Sequence, residues 1–176
     1  MPGLERFGSR NRRDTITSRF RLRDYDYSAP GLYVITVCAQ DRICRFGQVI
    51  NDVMELNEPG RMAADRWTDL GTTYPDVSVE HYVVMPNHVH AIVSIGFDSP
   101  DADERTSLPD VLHWYKSTTT NLYIKGVKTQ GWPRFHGRLW QKGFHDHIIR
   151  NEREFDRLWS YIDANPANWK RDTFFS

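Results

Sequence analysis

The segment Val83 to Val93, VVMPNHVHAIV, restricts the fold of this chain more than any other stretch. A run rich in β-branched residues from Val77 to Met85 meets Pro86-Asn87, a dipeptide that favours turns, and a second run follows from His88 to Ile95. The expectation is an antiparallel hairpin. Side chains alternate along a strand, so His88, His90 and Ile92 share one face while Val89, Ala91 and Val93 share the other. Two imidazoles two residues apart on one face can chelate a single divalent cation. Half-buried strand histidines without any ligand fit the same spacing.

The 176 residues suit one domain, expected over 31–170, with an arm at 1–30 and a short tail at 171–176. The 39% hydrophobic and 13% aromatic content is enough for a core. Lysine plus arginine equals aspartate plus glutamate at 23 each, so overall charge carries no argument for a nucleic-acid partner. Its distribution does. The stretch RFGSRNRRDTITSRFRLRDYDY, Arg6 to Tyr27, is arginine-rich, whereas acids gather in DSPDADE, Asp98 to Glu104. Arg12, Arg13, Arg19 and Arg21 are therefore candidate phosphate contacts, although a solvated terminus has the same composition.

Cys38 and Cys44 are the only cysteines, and their spacing fits neither a disulfide framework nor a zinc knuckle. Reduced thiols are expected. No run approaches the roughly 18 apolar residues of a membrane span, and the arginines near the start precede no apolar stretch of the signal-peptide kind. A soluble, cytoplasmic protein with no membrane partner is expected.

Around the hairpin, Gly31 to Gln40 has the near-continuous apolar content of a strand, and Met54 to Pro75 has a helical stripe at Met62, Ala63, Trp67 and Leu70. LPDVLHWYKSTTTNLYIKG predicts a second helix ending near Gly126. GWPRFHGR is turn-rich, Leu139 to Arg150 predicts a fourth strand, and Asn151 to Pro166 a last helix. The order β-α-β-β-α-β-α suits an α+β, ferredoxin-like antiparallel sheet with helices on one face plus one extra C-terminal helix.

In that last helix Phe155, Leu158, Trp159 and Ile162 form the apolar stripe, and Asn151 is a natural N-cap. Tyr161 and Asn165 lie four apart on its flank. An amide oxygen is a suitable third ligand for a hard divalent ion held by two imidazoles. An amphipathic core-edge tyrosine, followed by a helix-terminal asparagine before proline, fits the same residues.

Together HYVVMPNHVHAIV and LWQKGFHDHIIRNEREFDRLWSYIDANPANW closely resemble the REP-associated tyrosine transposases, a group within the single-tyrosine HUH (His-hydrophobe-His) nucleases. The resemblance runs from about Tyr33 to Trp169. It implies an HUH nuclease fold in which His88 and His90 hold Mg2+ or Mn2+, Tyr161 is the nucleophile, and Asn165 is the third metal ligand. Two other tyrosines, Tyr115 and Tyr123, compete from the second helix, but Thr119 and Val127 stand where Asn165 stands for Tyr161.

Such residues support transesterification of single-stranded DNA beside a hairpin, through a 5′-phosphotyrosine and a free 3′-hydroxyl. Lys116, Arg134, Arg138 and Lys142 are candidate phosphate contacts, and Trp132, Phe135 and Trp140 candidate stacking partners for unpaired bases. Two alternatives stay open. A second H-x-H, His145 and His147, suggests a multi-histidine zinc hydrolase. A domesticated hairpin-binding protein without transposition would keep the same residues. The oligomeric state is also open, with a homodimer as one option.

Overall fold

β1 (Gly31–Cys38) forms from the near-continuous apolar run, and it stops two residues short of the expected Gln40. Ala39 instead makes an isolated bridge to Trp140. The computed structural model describes residues 29–97 and 105–175. The arm carrying Arg12, Arg13, Arg19 and Arg21, and the acidic stretch 98–104, lie outside the described residues.

A small hairpin not anticipated from sequence follows β1. It pairs β2 (Gly47–Ile50) with β3 (Val53–Leu56) in a sheet of their own. Asn51 and Asp52 turn it, with φ of 49° and 64°. Positive φ at both central residues matches the twist of a tight hairpin, and Asn and Asp tolerate it better than most side chains.

The helix expected from Met54 therefore begins later, as α1 (Glu58–Thr68). Asn57 caps it by accepting from the Gly60 amide at 2.9 Å, with Pro59 in the first turn. Gly60 is required by contact: an added Cβ would lie 1.9 Å from the Phe46 carbonyl oxygen. The helical pattern then breaks at Asp69 and resumes as the single turn α2 (Leu70–Thr73).

β4 (Val77–Val84) and β5 (His88–Ile95) form the expected hairpin. α3 (Leu108–Thr129) starts at a Ser107–Asp110 capping box and runs three residues past the expected Gly126. The strand expected over Leu139–Arg150 shrinks to β6 (His145–Ile149). The Gln141 and Gly143 carbonyls instead accept hydrogen bonds from the Lys116 ammonium, at 2.9 and 2.7 Å. α4 (Glu152–Asp163) is capped by Asn151, whose side chain accepts from the Glu154 amide at 2.9 Å.

The main sheet has the order β4-β5-β1-β6, antiparallel throughout. This is the ferredoxin-like arrangement. One face carries the main core, where Tyr33, Ile35, Val37, Val89, Ala91 and Val93 meet Trp67, Leu112, Tyr115 and Tyr123 from α1 and α3. The Trp67 and Tyr115 rings stack with centroids 4.2 Å apart. The opposite face is covered by α4 through a smaller cluster: Ile92, Ile149, Leu158 and Ile162, with Val34, Val83 and Phe155. Burial of Leu158 and Ile162 contributes about 1.5–3 kcal/mol each to holding α4 there. Among the described residues no helix is long and apolar enough to cross a membrane. Both cysteines are free, and burial pushes the Cys38 thiol up to about 11.

Candidate active site

Strand register decides which side chains meet. Thr36 of β1 lies opposite His90 of β5 and His145 of β6, and Val83 of β4 lies opposite His90. Residues directly opposite one another project to the same face. Val83, His90, Thr36 and His145 thus form a row across the α4 face of the sheet, with His88 one step further along β5.

His88 and His90 are both buried, and their Nε2 atoms lie 3.0 Å apart. Their outer nitrogens are held. The Asn87 amide nitrogen donates to the carbonyls of Arg42 and Phe174, at 2.9 and 2.8 Å, which fixes its orientation. The remaining Asn87 Oδ1 lies 2.8 Å from His88 Nδ1 and can only accept, so Nδ1 carries the proton and Nε2 presents a lone pair. Thr36 Oγ1 holds His90 Nδ1 at 2.7 Å and orients the ring, although a hydroxyl can either donate or accept and so does not select the tautomer. Burial, reinforced for each by a neighbouring histidine, lowers His90 to about 3 and His88 well below the usual range. Two neutral imidazoles with paired outer nitrogens and facing inner ones fit a divalent cation.

α4 brings Tyr161 beside this pair. Its ring stands edge-on to that of His90, and 40% of the residue remains exposed. Burial raises the phenol pKa and Asp172 adds to the rise, while a hydrogen bond from the Asn165 side chain opposes them. Asn165 lies just past the end of α4, buried, with its amide N–H donating to the Ile162 carbonyl at 3.2 Å. Its Oδ1 has no hydrogen-bond partner among the described residues. A buried, unsatisfied amide oxygen is the donor atom a hard cation takes.

The rival tyrosines are elsewhere. Tyr115 and Tyr123 are fully buried in the main core, on the other side of the sheet. Their hydroxyls donate to the carbonyls of Ala63 and Pro133, at 3.1 and 2.9 Å.

Asp172 was not anticipated. Its side chain is 2% exposed, and Oδ2 lies 3.7 Å from His88 Nε2. Among the described residues, His88, His90 and Asp172 are the one group of His, Cys, Asp or Glu side chains converging on a common point. A lone acid in the tail sequence KRDTFF has no periodicity or partner to mark it. The second H-x-H does not join the group: exposed His147 pairs with Glu154 at 2.7 Å, and His145 stays half-buried with Nδ1 lacking a hydrogen-bond partner. Among the described residues the second H-x-H therefore does not combine with the first into a multi-histidine zinc site.

Of the candidate phosphate contacts, Lys116, Arg138 and Lys142 line one open groove of about 420 Å³ together with Ser117, Thr120 and Asn121. Burial lowers the Lys116 pKa to about 8. Arg134 is exposed and lies outside that lining. Trp140 is unavailable for base stacking, since it is buried, stacks on Phe46 at 4.8 Å and donates to Thr119. Trp132 and Phe135 pack against Tyr123.

Residues 72–165 match the family described as IS200-like transposases. An uncharacterized protein of Haemophilus influenzae is 31% identical over 88% of this chain and 91% of its own length. The fold is similar to that of a REP-associated tyrosine transposase bound to a REP hairpin, with a TM-score of 0.55 and 20% identity, over 86% of this chain and 73% of that one. It is also similar to a candidate transposase from Deinococcus radiodurans, with a TM-score of 0.51 and 17% identity, over 82% of this chain and 95% of that one. At these identities the two structures speak for the fold alone.

Proposed function

The chain belongs to the IS200-like transposase family, and from that membership we propose that it cleaves and rejoins single-stranded DNA beside a hairpin, using Tyr161 as nucleophile. One observation carries the reading: an exposed phenol stands edge-on to one ring of a buried histidine pair whose Nε2 atoms lie 3.0 Å apart. His88, His90 and Asn165 would hold Mg2+ or Mn2+, which supplies positive charge to the scissile phosphate when bound.

The chain's own residues do the rest. The Tyr161 hydroxyl attacks phosphorus, forming an Oη–P bond as the bond from phosphorus to the 3′ oxygen breaks. The phenolic proton leaves and the departing oxygen takes up a proton, giving a 5′-phosphotyrosine and a free 3′-hydroxyl. One phosphodiester replaces another, so the step reverses without an external energy source. An unassisted phenol ionises near pH 10, and burial raises Tyr161 further, so its proton has to be drawn off at the site. Asn165, hydrogen bonded to the phenol, steadies the ring and lowers that demand.

Lys116, Arg138 and Lys142 would hold backbone phosphates along their groove, and Arg134 would add a contact outside it. The arginines of the N-terminal arm would contribute sequence-independent affinity. A hairpin partner follows the structural relative described as bound to one. A protein acting on chromosomal DNA would work in the cytoplasm. The test is direct: labelled single-stranded hairpin DNA with Mn2+ should yield a covalent complex that survives denaturation and maps to the peptide SYIDANP. DNA cut without any adduct would overturn the reading.

A further inference from the structure

The proposed ligand set leaves Asp172 unused. Its two oxygens differ. Oδ1 accepts from the Phe174 amide at 2.8 Å, while Oδ2 has no partner at hydrogen-bond geometry among the described residues; burial raises the carboxyl's pKa, and the Phe174 amide, the Asn165 side chain and Arg42 oppose the rise. A carboxylate oxygen buried without a partner is costly, and a cation is its usual remedy.

What Oδ2 faces sharpens the point. His88 is protonated at Nδ1, so the atom 3.7 Å from Oδ2 is a lone-pair nitrogen and not an N–H. Two lone pairs facing one another repel unless a proton or a cation lies between them, and a divalent cation satisfies both donors at once. One donor atom from each of His88, His90 and Asp172 falls within 4.8 Å of the others, with 3.0 Å between the two Nε2 atoms and 3.7 Å from His88 Nε2 to Asp172 Oδ2. Donors about 2.1 Å from one octahedral ion lie about 3.0 Å apart at adjacent positions, which the histidine pair matches at 3.0 Å and which the carboxylate, 3.7 Å from His88 Nε2, reaches by drawing in under about 1 Å.

The placement of Asp172 is built from several contacts. The Phe174 carbonyl accepts from Asn87, the Thr173 carbonyl accepts from Arg42 at 3.1 Å, and the Phe174 ring lies 4.8 Å from that of His88. Asn87 therefore holds the C-terminal turn and the His88 tautomer with one amide.

We infer that Asp172 is a further ligand of the same cation, delivered by the C-terminal turn. The protein then offers a carboxylate, two imidazoles and an amide oxygen before any DNA arrives. This rests on the metal site proposed above. Two neutral imidazoles and a neutral amide offset none of the charge of a divalent ion, and Asp172 contributes one negative charge.

The test is a Mn2+ titration of the full chain without DNA, followed by the loss of the free-ion electron paramagnetic resonance signal. Asp172→Asn should weaken Mn2+ binding at least about tenfold, since even partners outside the ligand set are worth 10–100-fold. Asp172→Glu should recover part of the loss, and His90→Ala should lose binding altogether. Wild-type affinity in Asp172→Asn, with binding lost in His90→Ala, overturns this inference and leaves the proposed site standing. Wild-type affinity in His90→Ala overturns the proposed site itself. Carbon-13 labelling of aspartate in the wild-type chain gives a reading independent of any variant's folding. Electron–nuclear double resonance should find a carboxylate carbon bonded through oxygen to Mn2+, and its absence sinks the assignment.

Discussion

The ring of Tyr161 stands edge-on to that of His90, with 5.5 Å between centroids and 67° between planes. Tyr161→Phe keeps that contact and removes only the hydroxyl. DNA binding should persist, while strand cleavage and covalent adduct disappear together. Tyr115→Phe and Tyr123→Phe should still cleave, and each should lose about 1–3 kcal/mol of stability because a buried carbonyl loses its donor. Denaturant melts beside adduct gels separate the two kinds of effect; cleavage by Tyr161→Phe would falsify the nucleophile.

Thr36 touches no DNA in this scheme, yet it holds His90 Nδ1 at 2.7 Å. Thr36→Val keeps the shape and removes the hydrogen bond. Mn2+ affinity should fall about 10–100-fold while the circular dichroism spectrum stays unchanged. An affinity equal to wild type would mean that His90 needs no partner to keep its orientation.

The lowered histidine pKa values set a direction for stability against pH. Unfolded histidines protonate near pH 6.5, whereas folded His90 resists protonation down to about 3 and His88 is also shifted well down. Below about pH 6.5 the unfolded chain binds more protons, so stability of the metal-free protein should be full above that pH and decline beneath it. The slope should approach about 1.4 kcal/mol per histidine per pH unit. Urea melts in chelator from pH 7.5 to 4.5 would measure it. His88→Gln with His90→Gln should flatten the curve, and a wild-type curve already flat there would contradict burial of the neutral pair.

The two basic regions should be separable by salt. Each phosphate contact on single-stranded DNA contributes about 0.7 to the slope of log affinity against log salt. Arg138→Ala with Lys142→Ala should therefore reduce that slope by about 1–2, uniformly across hairpin sequences. Deleting residues 1–23 should reduce it independently. Additive losses support two separate phosphate contacts, and an unchanged slope in either variant removes that region from the interface.

Much of this was legible in the sequence because strand alternation is a strong constraint. Val89, Ala91 and Val93 had to enter one core if His88, His90 and Ile92 faced the other way, and the two clusters divide along that line. The stripe Leu158 and Ile162 likewise fixed the buried side of α4. The missed hairpin had a local signal, Asn51-Asp52 between two short apolar runs, but Met54 and Leu56 also extended the helical pattern beyond Asn57. Trp140 stands near basic residues in the sequence as a base-stacking aromatic would, yet its partners Phe46 and Thr119 are far away in sequence. Asp172 was illegible for the same reason. Its significance comes from His88, 84 positions earlier, and from an amide clamp that no spacing rule describes.

The division of β5 between two faces reaches beyond the site. Val89, between the two histidines, is 1% exposed and belongs to the main core on the far side of the sheet. It is no neutral spacer. A substitution there that shifted the strand would move both imidazoles at once. Genetic suppressors of a misaligned site should therefore accumulate among the apolar residues packed around Val89, out of reach of DNA and metal alike.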